Sequence, residues 1–188
     1  MTEASSTTAA SDAAPAGGAA SAIDAMLFRK VMGAFASGVT VVTTVVAGEV
    51  RGMTVSAFMS GSLDPALCVI SVRNRARMHP LLIEAGHFGV SILARDQETL
   101  SNHFAGVTVG DITPEYVWAG RTPMLADAAA VIASEIAAQH ECGDHTLFIG
   151  RILHLAVHGR PPLLVHEGRY ASVSDGQERP PEWVTAFW

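Results

Sequence analysis

Eight consecutive residues, Val39–Val46 (VTVVTTVV), are all Val or Thr. Every one is β-branched. Such side chains are stiff at χ1, crowd a helix and pack well on a pleated sheet. The run is therefore a strand. A short turn, "GEV", leads into a second strand over Arg51–Phe58, and the two form a hairpin. Leu67–Val72 is a third strand, entered through a turn at Asp64-Pro65. His87–Leu93 and the long His145–His158 are two more. "PLLVHEGRYASV" reads as a hairpin turning near Glu167-Gly168, and Val131–His140 alternates weakly. Helices are fewer. Ile23, Leu27, Val31 and Phe35 recur every four residues, with Asp24 near the start and Gly38 as a stop. Pro80 suits a first helical turn, and "LLIEAG" completes that helix. "DQETLSNHF" (Asp96–Phe104) has the acidic start of a third. Gly106–Thr122 is loop-like. Strands follow one another with few helices between, which disfavours a doubly wound parallel sheet. The expectation is a mainly β fold: an antiparallel barrel with a few peripheral helices.

The chain has 188 residues, which suits one domain with a real core. Residues 1–22 are mostly Ala, Ser, Thr and Gly, with almost nothing to bury, and read as a disordered leader. They lack the basic start and apolar centre of a secretory signal, and contain no arginine. The domain spans 23–188. The chain's net charge of -6 argues against a broad basic face for nucleic acid or a membrane surface. No apolar run is long enough to span a bilayer. The two cysteines, Cys68 and Cys142, lie far apart and form no CxxC, which fits a reducing cytoplasm.

Phosphate-binding glycine motifs are absent: there is no GxGxxG after a strand and no GxxxxGK[ST]. A GxSxG elbow is missing too. The chemistry concentrates elsewhere. Thr54, Ser56, Ser60, Gly61 and Ser62 place hydroxyls and small residues where a core strand would carry large apolar ones. One strand later come Arg73, Asn74, Arg75 and Arg77, just before a helix N-terminus. Hydroxyls and accessible amides can bond a flat polar heterocycle. Arginines beside free helix amides suit a phosphate. Two readings stand: a site for a phosphorylated heterocycle, or a solvated loop with three unrelated arginines. His154 and His158 have HxxxH spacing, but the flanking alternation makes that segment a strand, and no third metal ligand is evident. His145, beside Asp144, could be a base, a ligand contact or a strand-entry cap. Cys68, inside "ALCVISV", reads as an inert core thiol.

From about Phe28 to Val173 the sequence resembles the flavin reductase family of two-component flavin-dependent monooxygenases. "FASGVTVVTT", "GMTVSAFMSGSLDPALCVISV", "RMHPLL", "FGVSIL", "GDHTLFIGRI" and "PLLVHEGRY" match its segments, in its order. Among members, those serving aromatic-ring or styrene-type oxygenases look most similar. The resemblance implies an FMN-binding split β-barrel, Greek-key-like and homodimeric, with FMN or FAD as cofactor and NADH or NADPH as hydride donor. It implies an oxygenase partner that receives the reduced flavin. Thr54, Val55 and Ser56 fall where the family contacts the isoalloxazine. Ser62 and Leu63 fall along the ribityl side. Asn74, Arg75, Ala76 and Arg77 match its phosphate loop, although the position of Ala76 often carries Ser. His145 matches the histidine that faces the nicotinamide, Tyr170 an aromatic near the flavin, and Phe104 a residue covering the ring or the adenine side. The alternatives are a split-barrel oxidase acting directly on a small substrate, such as the pyridoxamine phosphate oxidases, and a non-catalytic flavin-binding protein. The Gly-Asp-His segment favours the reductase branch.

Overall fold

The computed structural model describes residues 23–173. The predicted leader (1–22) and the apolar tail "EWVTAFW" lie outside them. Twelve strands and three helices follow in the order α1 (Ala25–Gly33), β1 (Ser37–Gly38), β2 (Thr40–Val46), β3 (Glu49–Val55), β4 (Phe58–Leu63), β5 (Ala66–Arg73), α2 (Met78–Ala85), β6 (His87–Ile92), α3 (Glu98–Phe104), β7 (Tyr116–Ala119), β8 (Thr122–Leu125), β9 (Ala130–Cys142), β10 (His145–Val157), β11 (Leu163–His166) and β12 (Arg169–Ser172). Seven strands form one sheet in the order β3-β2-β6-β9-β10-β5-β4, with all pairings antiparallel. Two small antiparallel sheets, β1-β11-β12 and β7-β8, flank it.

The Val39–Val46 run explains the centre of this arrangement. Val42 is buried with Ile70, Val72, Phe88, Val90 and Phe148 on one side. Val41 is buried with Val39, Leu93, Leu125 and Leu163 on the other. A strand buried on both faces needs apolar bulk at every position. Its threonines are tolerated because each hydroxyl has a partner. Thr43 donates to the Pro123 carbonyl and Thr44 to that of His87. The β2–β3 hairpin turns through Ala47 and Gly48, both with positive φ, as a type I′ turn requires.

The first core takes residues from five of the sheet's seven strands, and the other two, β4 and β9, pack Phe58, Ile132 and Ile136 against it. The sheet therefore curls around a common centre, with Met78 and Leu82 of α2 inserted there. The expected barrel does not close by a continuous ladder: β3 and β4 remain its edges. They are consecutive in sequence, and near their junction the Ser71 amide bonds the Ala57 carbonyl. Segmentation differs from expectation in three places. Arg51–Phe58 breaks after Val55, and Phe58 begins a separate strand. Tyr116–Ala119, read as loop, pairs with β8. The first helix ends at Gly33, not Gly38, and Asp24, placed near its start, caps it with its side chain. No helix among the described residues is long and apolar enough to cross a membrane.

Candidate active site

A cavity of about 340 Å³ opens where the end of β3, helix α3 and the β11–β12 hairpin meet. Thr54 and Ser56 form one wall, Ser101, Asn102 and Ala105 a second, and Val165, Gly168 and Tyr170 a third, with Val39 also lining it. Thr54 Oγ1 donates to the Ser101 carbonyl at 2.6 Å, so its hydroxyl anchors α3 to β3. The Val55 side chain is buried in the core, which leaves its backbone as what it can offer a ligand. The Tyr170 hydroxyl lies 2.9 Å from both Ser101 Oγ and Asn102 Oδ1. It ties the last described strand to α3. Phe104 is seated elsewhere. A Cβ on Gly52 would come within 2.6 Å of its ring, so Gly52 is the space into which Phe104 packs behind the cavity.

β3 is a sheet edge, so its outer amides and carbonyls have no strand partner. The same edge leads to the basic loop. Ser71 on β5 bonds Ala57, next to Ser56. Two residues further along β5 stands Arg73, and His145 sits opposite Arg73 on β10. Hydroxyls, arginines and His145 thus gather around one end of β5.

Arg73, Arg75 and Arg77 are exposed. Among the described residues none of them pairs with a carboxylate. The Asn74 amide bonds the Asp144 carbonyl at 2.9 Å, which fastens the loop to the Gly143-Asp144 turn. Ala76 is half-buried against the core. His145 Nδ1 lies 2.7 Å from Asp144 Oδ1. An ionised carboxylate only accepts, so Nδ1 carries the hydrogen, and Nε2 is the ring nitrogen that bond leaves free. The hydrogen bond from His145, with the charges of His145 and Arg73, holds the Asp144 carboxyl below its ordinary range.

Two predicted residues stand apart. Ser62 pairs with Leu67 and Leu63 with Ala66, beside the Asp64-Pro65 turn. At 3.3 Å per residue, that end of β5 is roughly 20 Å from Arg73. Ser101 and Asn102 were missed in the sequence. Their signal was polar side chains on the core-facing side of "DQETLSNHF", a pattern that also suits any solvated helix. Two other concavities, each about 410 Å³, lie against Trp118 and Arg121, and beside α1. Neither contains a predicted site residue.

Residues 32–174 match the model of the flavin reductase like domain. This chain belongs to that family. It is 43% identical over 148 residues to an NADH-dependent flavin reductase of Rhodococcus sp, covering 77% of this chain and 84% of the relative. It is 40% identical over 139 residues to the reductase component of 4-hydroxyphenylacetate 3-monooxygenase from Thermus thermophilus, covering 74% and 89%. The solved flavin reductase PheA2 superposes with a TM-score of 0.79 at 39% identity, covering 81% of this chain and 99% of that one. As a family member the protein is a flavin reductase, an oxidoreductase using a flavin and a reduced pyridine nucleotide. The cavity is lined by hydroxyls and small apolar side chains, and the loop beyond β5 carries exposed arginines.

Proposed function

We propose that the protein takes a hydride from NADH or NADPH, reduces FMN or FAD, and releases the reduced flavin to a separate monooxygenase. The observation that carries this is the placement of the Thr54–Ser56 cavity wall beside the end of β5 where His145 lies opposite Arg73 and the arginines have no carboxylate partner among the described residues. The curated relatives named above include NADH-dependent enzymes and an oxygenase's reductase component, which favours NADH as donor.

The cavity fits the group. Its volume lies within the range of small-molecule sites, and its lining mixes hydroxyls, one amide and small apolar side chains. Thr54, Val55 and Ser56 would hold the flavin ring, Tyr170 would flank it, and Asn74, Arg75, Ala76 and Arg77 would hold its phosphate. Ser62 and Leu63 would act at the far end of β5. Phe104 would support the ring from behind rather than cover it. Hydride transfer is the chemistry that flavin and nicotinamide supply when bound. The chain's part is orientation. Edge amides of β3 can stabilise negative charge, and the arginines fix an anion. His145, held in one tautomer by Asp144, presents Nε2 to the nucleotide.

The working unit we propose is a homodimer of split β-barrels in the cytoplasm. Leu153, Leu155 and Val157 on β10, with Met59 and Leu63 on β4, are large apolar side chains left exposed. A patch of this kind marks an interface. A second copy would cover it and supply a neighbour for Ser62 and Leu63. Both cysteines are free, Cys68 buried and Cys142 exposed, as suits a reducing compartment.

The test is nucleotide consumption by the purified protein, first anaerobic and then aerobic, with FMN, FAD or riboflavin added. Flavin-dependent loss of NADH or NADPH is expected. Flavin binding without turnover would overturn the reaction in favour of a sensor or a direct oxidase.

A further inference from the structure

Behind the basic loop lies a hydrogen-bond chain that neither the cavity nor the arginines account for. Thr146 is buried at the start of β10. Its Oγ1 donates to Asn74 Oδ1 at 2.9 Å. The amide oxygen can only accept, so this bond takes the hydroxyl's one hydrogen. His79 Nε2 lies 2.9 Å from the same Oγ1. With that hydrogen committed to Asn74, Oγ1 must accept, and His79 Nε2 must carry a hydrogen. The other end of Asn74 reaches Gly143: Nδ2 donates to its carbonyl at 3.5 Å, a long contact, while the backbone bond to Asp144 is short. The direction is therefore fixed from His79 through Thr146 to Asn74 and on to the Gly143-Asp144 turn. His79 itself sits in the first turn of α2, its ring edge-on to Phe148 with centroids 5.5 Å apart.

We propose that His79 is a positioning residue for the nucleotide side of the site. It acts through Thr146 and Asn74, and touches neither cofactor. Its hydrogen bond orients the Asn74 side chain, which braces the arginine loop where the Asn74–Asp144 backbone bond joins it to the Gly143–His145 turn. The distance between the phosphate-binding cations and His145 is thereby set before any ligand arrives. The inference rests on the reading of His145 and the loop given above. Without the donor at position 79, the Thr146 hydroxyl is free to turn from Asn74, and the Asn74 side chain no longer braces the loop, which is left to the Asn74–Asp144 backbone bond alone. Preorganisation is lost from binding rather than from the chemical step.

The test uses the full-length protein and steady-state NADH oxidation with FMN, with Tm recorded for each variant. His79→Phe keeps an aromatic ring against Phe148 but has no donor. It is expected to raise KM for NADH about fivefold, the size of one lost hydrogen bond, with kcat changed less than twofold. Thr146→Val is expected to match it. His79→Gln, which can still donate, is expected to recover part of the loss. Wild-type KM in His79→Phe would reduce His79 to a packing residue and overturn the proposal. So would a fall in Tm with kcat and KM moving together. His145→Ala is measured alongside. If it leaves KM for NADH unchanged, the reading of His145 fails and the inference falls with it. If it raises KM while His79→Phe does not, the inference alone is wrong.

Discussion

At the scale of residues, the loop and the Gly-Asp-His turn should be separable by what they bind. Arg75 and Arg77 are exposed and free of carboxylate partners among the described residues, so they can meet a phosphate without first breaking an ion pair. Arg75→Ala combined with Arg77→Ala should weaken FMN binding about tenfold or more in a fluorescence titration, and leave riboflavin nearly unchanged. Equal losses for both flavins would move the phosphate elsewhere. His145→Ala should raise KM for NADH about tenfold and change flavin Kd far less, because its anchored Nδ1 directs Nε2 away from Asp144. Equal losses in both would remove its nucleotide role. His87 makes a different kind of prediction. It is buried beside Thr122, and burial, then the charge of Arg121, pushes its pKa below 6.5. The unfolded chain therefore takes up this proton first as pH falls. The stability tied to neutral His87 is complete above 6.5 and is lost as pH drops through the depressed folded value. Urea midpoints from pH 7.5 to 5 should fall, and His87→Asn should flatten that slope.

Elements show where sequence reading succeeds and where it stops. Val39–Val46, Asp96–Phe104 and the Glu167-Gly168 turn were legible because local chemistry and tertiary environment agree there. The break after Val55 was not legible. "VSAF" has no Gly or Pro, and the chain leaves β3 for β4 only because the curled sheet ends there. β7 was hidden for the same reason: Tyr116–Ala119 is a strand through its pairing with β8, not through its own composition. Site residues followed this divide. Thr54, Ser56 and the arginines stood out as polar groups in unexpected places, while Ser101 and Asn102 needed the docking of α3 to matter. Gly89 on β6 makes the packing between elements measurable. A Cβ there would lie 2.2 Å from the Pro123 carbonyl oxygen and 2.9 Å from Thr43 Oγ1. Backbone cannot yield as a side-chain tip does, so β6 and β8 must part and the Thr43–Pro123 bond must break. Gly89→Ala should cost about 3 kcal/mol in urea unfolding. A loss under about 1 kcal/mol would show that the β7–β8 hairpin moves freely.

For the whole molecule, the open question is which surface a single copy leaves unfinished. The sheet's inner face is filled by the first core, and α3 with the small β11-containing sheet covers the outside of β2. Among the described residues nothing comparable covers Leu153, Leu155 and Val157 of β10. Met59, Val69 and Ile149 fall in one row across β4, β5 and β10; beyond the end of β5, past a register irregularity between Ile152 and His154, β10 carries three more large apolar side chains, Leu153, Leu155 and Val157. Leu153, Leu155 and Val157 are 62%, 64% and 81% exposed. A stable two-fold interface buries about 1,600 Å² in total, and a row of this extent on each partner is the natural start of one. Arg151, paired with Glu135, sits within the same face and can set the register of two copies. Leu153→Asp with Leu155→Asp buries two like charges at such a seam, so sedimentation should show wild type at twice the mass of one chain and the variant at one. If the interface also completes the far end of the flavin site, where Ser62 and Leu63 stand roughly 20 Å from the arginines, the monomeric variant loses flavin affinity with its Tm little changed. Retained affinity in the monomer would confine the site to one chain and leave Ser62 and Leu63 outside it.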